Sequence, residues 1–173
     1  MILWLNGPFG VGKSTAVAEL LRREPKAGSF DPERWGWILK RTIGLVKPGD
    51  FQDLRAWRTG TIRGAVRRSR STEFLVVPMT LLDVGYADEI LDGIRSRGRQ
   101  VLHVTLHASA PALRKRIEQD ERDPGALGWR LEQLPRYEAA AAALAQRGPV
   151  IDTDEQGQAA VASTLESLLA AAR

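Results

Sequence analysis

The sequence contains no cysteine among its 173 residues, which excludes disulfide staples and thiolate metal sites. Only two histidines occur, His103 and His107. Four apart, they would suit a metal on a helix, but on a strand they share a face roughly 13 Å apart. No third ligand accompanies them, so zinc is not expected. No stretch approaches the ~18 apolar residues of a membrane span. The amino end has no basic region ahead of its short apolar run, Ile2 to Leu5, so it does not read as a secretory leader. Aromatic residues make up only 6 %, and no low-complexity linker or internal repeat is visible. These absences point to one cytoplasmic domain spanning residues 1–173.

The balance of 43 % hydrophobic and 27 % charged residues is that of a globular chain able to bury a core. Net charge is +4, and the excess is local: Arg55, Arg58, Arg63, Arg67, Arg68 and Arg70 crowd one segment, Arg114, Lys115 and Arg116 another. Clusters of that kind on a mixed surface fit a small polyanion better than a nucleic-acid duplex. Leu165, Leu168 and Leu169 form a narrow apolar stripe near the carboxyl end. A stripe without basic residues opposite it fits packing on a sheet better than membrane contact.

The most informative stretch is "LWLNGPFGVGKST". An apolar strand runs into Gly7, Pro8, Phe9, Gly10, Val11, Gly12, Lys13, Ser14 and Thr15, and a helical pattern follows. This is G-x-x-x-x-G-K-[ST] between a strand and a helix. Glycines let the backbone curl so that successive N–H groups point at a phosphate. Lys13 adds a point charge at the β- and γ-phosphates, Ser14 a hydroxyl for Mg²⁺, and the helix start its partial positive charge. A nucleoside triphosphate is the expected ligand.

Downstream, strands and helices alternate. Strands are expected at Gly28–Phe30, Phe74–Val77, Gln100–Leu106 and Pro149–Asp152. Helices are expected from Pro32, from about Asp50 to Arg68, over Tyr86–Arg97, after Ser109 and over Ala159–Ala171. Such alternation implies a parallel sheet covered on both faces, with ligands at the carboxyl ends of the strands. Asp31, after the second strand, can accept a proton from an attacking hydroxyl or hold a water on Mg²⁺, and can equally cap the next helix. The third strand ends Val77-Pro78-Met79-Thr80 without an acidic residue for the metal, which leaves Asp31, or Asp83, as the carboxylate. Arg34 and Arg58 are candidates for the acceptor, with Trp35 or Trp57 facing an aromatic ring. The polar run "EQDERDPGALGW", with Arg116, Arg122 and Arg130 around it, reads as a flap whose arginines neutralise a transferring phosphoryl group. Arg116 can instead stack on adenine or pair with Asp120.

The whole chain resembles the small P-loop kinases of the nucleotide, shikimate and gluconate kinase kind. Within that group it resembles the bacterial tunicamycin-resistance ATP-binding proteins. The likeness rests on "LNGPFGVGKST", "FDPERWGWIL", "GDFQDLRAWR", "VVPMTL", "HVTLHASAPALRKRIEQ" and "VIDTD". It implies a three-layer α/β P-loop NTPase fold with a five-stranded parallel sheet in order 2-3-1-4-5. It also implies a substrate-binding helical segment over about 33–70 and a flap over about 118–130. ATP with Mg²⁺ is the implied donor, Asp152 and Thr153 lie beside the adenine, and tunicamycin, a nucleoside antibiotic, is the implied acceptor. A phosphotransferase, a protein that sequesters the drug and a housekeeping metabolite kinase all remain compatible with these residues.

Overall fold

Ile2-Leu3-Trp4-Leu5-Asn6 forms β1 (Ile2–Asn6), buried along its whole length, as expected of a strand that must be apolar on both faces. In the computed structural model, which describes residues 1–33, 36, 50–121 and 124–172, β1 is the centre of the sheet. It is followed by α1 (Lys13–Arg23), β2 (Gly28–Ser29), α2 (Arg55–Arg68), β3 (Leu75–Met79), α3 (Val84–Arg95) and β4 (Val101–His107). The chain ends with α4 (Ala110–Glu118), α5 (Leu127–Glu132), α6 (Leu134–Ala145), β5 (Val150–Asp152) and α7 (Gln158–Ala171). All strand pairs are parallel and their order is β2-β3-β1-β4-β5. The fold is therefore a three-layer α/β P-loop NTPase fold, with the order 2-3-1-4-5 that the resemblance implied.

Strand alternation divides the core in two. Leu3, Leu5, Val76, Val104 and Leu106 face a layer that includes Val17 and Leu20 of α1 and Val161, Leu165 and Leu169 of α7. Ile2, Trp4, Leu75, Val77 and Met79 face Trp57, Ile62 and Ala65 of α2 and Ile90, Leu91 and Ile94 of α3. Leu165 and Leu169, two of the three residues of the apolar stripe, are thus core residues, and Leu168 packs against the same cluster. Arg23 of α1 reaches Glu166 at 3.3 Å and Ser163 at 2.9 Å, joining α1 to α7.

Helix starts follow local chemistry. Asp83 accepts from the Tyr86 amide and Ser109 from that of Ala112, each satisfying an amide left free in a first turn. Asp50 departs from expectation: its carboxylate caps a 3₁₀ turn at Phe51–Asp53, and α2 begins only at Arg55. That turn places Gln52 to donate to the Thr80 carbonyl at 3.0 Å, so the segment is fastened to the end of β3. The flap is also more regular than expected. A 3₁₀ turn at Pro124–Ala126 leads into α5, which abuts α4 and α6.

Candidate functional site

The loop after β1 curls because three of its glycines hold positive φ: Gly7 at 146°, Gly10 at 77° and Gly12 at 94°. At Gly7 the requirement is double, since a Cβ there would also stand 2.6 Å from the Leu106 carbonyl oxygen. Buried Asn6 holds the loop's entrance. Its side-chain oxygen accepts from the Gly7 and Leu81 amides and its amide donates to the Leu81 carbonyl, each at 2.9 Å. This links the ends of β1 and β3 and brings Thr80 beside the loop.

Lys13 occupies the mouth of that loop. Its ammonium donates to the Gly7 carbonyl at 2.7 Å, the Pro8 carbonyl at 2.8 Å and the Thr80 hydroxyl at 2.7 Å. Enclosure lowers its pKa to about 8, with the charge of Glu33 acting the other way. Glu33 is the carboxylate that the sequence reading passed over. Burial raises its pKa, as do the charges of Asp31 and Asp50, against the pull of Lys13 and Arg130.

A cleft of about 710 Å³ runs over the loop. Pro8, Phe9, Gly10, Val11, Gly12, Lys13, Ser14 and Thr15 form its floor, and Glu33 and Thr80 lie on its wall. Arg116, Asp120 and Arg130 line the side carrying α4 and α5, and Thr153 lines the end near α7. Arg116 does not pair with Asp120. Its guanidinium donates to the Thr153 hydroxyl at 3.0 Å and carbonyl at 2.6 Å, while Asp120 pairs with Arg130 at 3.2 Å. Thr153 is itself fixed, its amide donating to the His107 carbonyl at 2.8 Å. The fork geometry of arginine suits both a carbonyl–hydroxyl pair and a phosphate, so Arg116 is held ready at the cleft's edge.

Other expected site residues fall elsewhere. Asp31 is exposed and accepts from the Glu33 amide at 2.9 Å, so its place is at the helix start and not in the cleft. The two carboxylates are two residues apart, and the turn that begins at Pro32 sends only the second inward. Arg58 turns away from the cleft: it donates to Glu89 at 2.7 Å and to the Gln52 carbonyl at 2.7 Å, and stacks 4.1 Å from the Tyr86 ring centre. Trp57 is fully buried, its Nε1 donating to the Pro32 carbonyl at 3.0 Å, and faces no acceptor. Asp152 is exposed and accepts from the Asp154 amide, which leaves Thr153 as the cleft residue of that pair. Arg34, Trp35 and Arg122 lie outside the described residues.

Among the described residues no group of three histidine or acidic side chains gathers to hold a metal. The donor set fits Mg²⁺ carried by a nucleotide: the Ser14 hydroxyl and the Glu33 carboxylate line one cleft, and Mg²⁺ takes few protein ligands beside phosphate oxygens and water. No helix among the described residues is long and apolar enough to cross a membrane.

Comparison with known proteins agrees with this geometry. Residues 2–144 match the family model described as AAA domain. The structure of the Deinococcus radiodurans tunicamycin resistance protein is similar with a TM-score of 0.76 at 28 % identity, over 97 % of this chain and 94 % of that one. Shikimate kinase from Bacteroides thetaiotaomicron gives a TM-score of 0.67 at 14 % identity, over 98 % of both chains. A gluconokinase from Sinorhizobium meliloti gives 0.62 at 22 % identity, over 98 % of this chain and 91 % of that one. The last two likenesses concern the fold. No protein of curated function matches the sequence.

Proposed function

The chain belongs to the AAA-domain family and to the small P-loop kinase superfamily, and from that premise we propose that it is an ATP-dependent phosphotransferase for a hydroxyl of a nucleoside-like or sugar-containing small molecule. The observation that carries this reading is the placing of Glu33 on the wall of a cleft whose floor is the Lys13 loop. Tunicamycin is the acceptor we favour, because the similar Deinococcus structure is that of a tunicamycin resistance protein. In this reading the whole chain is one catalytic domain working in the cytoplasm.

The roles follow from position. Loop amides and Lys13 would hold the β- and γ-phosphates, and Ser14 would hold the cation that arrives with ATP and offsets phosphate charge, with Asp31 left at the helix start outside the cleft. Glu33 receives the proton of the acceptor hydroxyl. The acceptor oxygen then bonds to the γ-phosphorus while the bond from that phosphorus to the β–γ bridging oxygen breaks, leaving ADP and the phosphorylated acceptor. Burial favours this proton transfer, because a raised carboxyl pKa makes a better base. Arg130, on the cleft wall, would meet the negative charge spread over the transferring group, and Arg116 would join it only on leaving Thr153. Arg34, Trp35 and Arg122, outside the described residues, are kept as acceptor-binding candidates from the sequence alone, and Thr153 would lie by the adenine.

Incubation with ATP, Mg²⁺ and tunicamycin, followed by intact-mass measurement of the drug, tests the reading. A gain of one phosphoryl group is the expected result, and unchanged drug overturns the choice of acceptor or of chemistry. In Glu33→Gln, transfer should fall by roughly a thousandfold while ATP still binds; Asp31→Asn should be milder. A second reading, sequestration of the drug without transfer, is favoured by Thr80, which puts a hydroxyl where the notion of a metal-binding carboxylate at the end of β3 would put an acid. Tight, ATP-dependent drug binding without mass change would select it.

A further inference from the structure

The flap carries an aromatic ring whose placement the phosphate-holding roles do not explain. Trp129, in α5, is 47 % exposed, with Leu127 of the same helix at 37 %. Exposed as it is, its ring meets Phe9 edge-on, with centroids 5.0 Å apart and planes at 62°. Phe9 belongs to the phosphate loop and lines the cleft, and its ring centre lies 5.6 Å from the Lys13 ammonium. One phenyl ring therefore touches the flap on one side and the loop's charged residue on the other. The residue after Trp129 is Arg130, which lines the same cleft and pairs with Asp120 at the end of α4.

A tryptophan on a short helix normally gains by facing the core, where apolar area is removed from water. Here the core side of α5 is taken by Leu131, which packs against the main cluster. Trp129 points instead to the phosphate loop, whose shape decides how a triphosphate is held. A helical step of one residue fixes the direction of Arg130 once the Trp129 ring is docked.

We propose that Phe9 and Trp129 form a latch that ties the flap to the phosphate loop, so that both are positioning residues: the ring contact holds Arg130 at the cleft and slows escape of bound nucleotide. The inference rests on the reading of the loop as a nucleotide site, and goes beyond it by giving the flap a defined closed state. It concerns the lifetime of the bound triphosphate and does not depend on which acceptor is used.

The test is the release rate of a fluorescent ATP analogue, measured by stopped-flow chase in the presence of Mg²⁺. An edge-to-face pair of this kind corresponds to roughly a three- to tenfold effect. Trp129→Ala should speed release by about that factor with little change in association rate, and Trp129→Phe should restore it to within about twofold. Phe9→Ala should act alike, and the double substitution should be no worse than the stronger single one, since each ring works only through the other. A ring that merely shapes α5 would lower thermal stability without this pattern, so melting curves without nucleotide accompany each variant. Unchanged release in Trp129→Ala, or effects that add in the double variant, would overturn the latch. Nucleotide binding without transfer to any acceptor would sink the kinase reading and leave the latch standing. No nucleotide binding by the wild-type chain would overturn both.

Discussion

Thr80 shows how a single hydroxyl can take the place of a charge. At the end of β3 it accepts from the Lys13 ammonium at 2.7 Å, next to two loop carbonyls that do the same. Three neutral acceptors orient the lysine without cancelling its charge, which remains available to phosphate. Thr80→Val keeps the shape and removes one acceptor. A hydrogen bond to a charged group is worth roughly 1.5–3 kcal/mol. Nucleotide affinity should therefore fall by roughly tenfold or more, read by calorimetry, while the urea midpoint moves only slightly because two carbonyl acceptors remain. Arg58 shows the opposite economy. Its guanidinium is spent on Glu89, the Gln52 carbonyl and the Tyr86 face, three groups on separate segments. Arg58→Ala should lower folding stability by roughly 2–3 kcal/mol through these lost contacts, measured by urea unfolding. It should leave phosphate binding on the folded protein nearly unchanged.

At the scale of elements, what was readable in the sequence was whatever is decided locally. Gly7 to Thr15 announce their loop because backbone φ, ammonium and hydroxyl are all specified within nine residues. Asp83 and Ser109 announce helix starts because a cap needs only the amide two or three residues on. Directions across the fold were not readable. The arginines of α2 occur on every side of the helix, so the inward turn of Arg58 depends on Tyr86 and Glu89 of α3, some thirty residues later. Glu33 was passed over for Asp31 because the two carboxylates look alike until the helix start points one out and the other in. The junction between α6 and β5 is likewise a tertiary matter. A Cβ at Gly148 would collide with the His103 carbonyl of β4, which belongs to the backbone and cannot yield as a side chain can. Gly148→Ala should therefore destabilise the protein by roughly 2–3 kcal/mol, seen as a lower urea midpoint, because β5 must shift to admit one methyl group.

At the scale of the whole molecule, one buried titratable group among the described residues lacks compensation: His103, on the face of the sheet that carries Trp4. It is 2 % exposed, stands in register with Trp4, and neither ring nitrogen has a hydrogen-bond partner among the described residues. Burial lowers its pKa to about 4; the charges of Arg147 and Arg95 act in the same direction, opposed by the Arg147 backbone and Asp88. The unfolded chain, with a histidine near 6.5, binds the proton more readily than the folded one. Stability conferred by neutral His103 is thus complete above about pH 6.5 and is lost as pH falls towards 4, by roughly 3 kcal/mol in all. Glu19 is held to about 2 by Arg22 and Arg23, so its contribution is lost in a lower window, from about 4.5 downwards. Glu33, whose pKa is raised, runs the opposite way to His103. The difference between wild type and His103→Leu separates these effects, because Glu19 and Glu33 cancel in it. Urea unfolding of the two proteins from pH 7.5 to 4 should show the variant gaining on the wild type steadily below pH 6.5. Parallel stability curves over that range would mean that the His103 site readily admits a charge, and the dry, unpartnered setting inferred for it would be wrong.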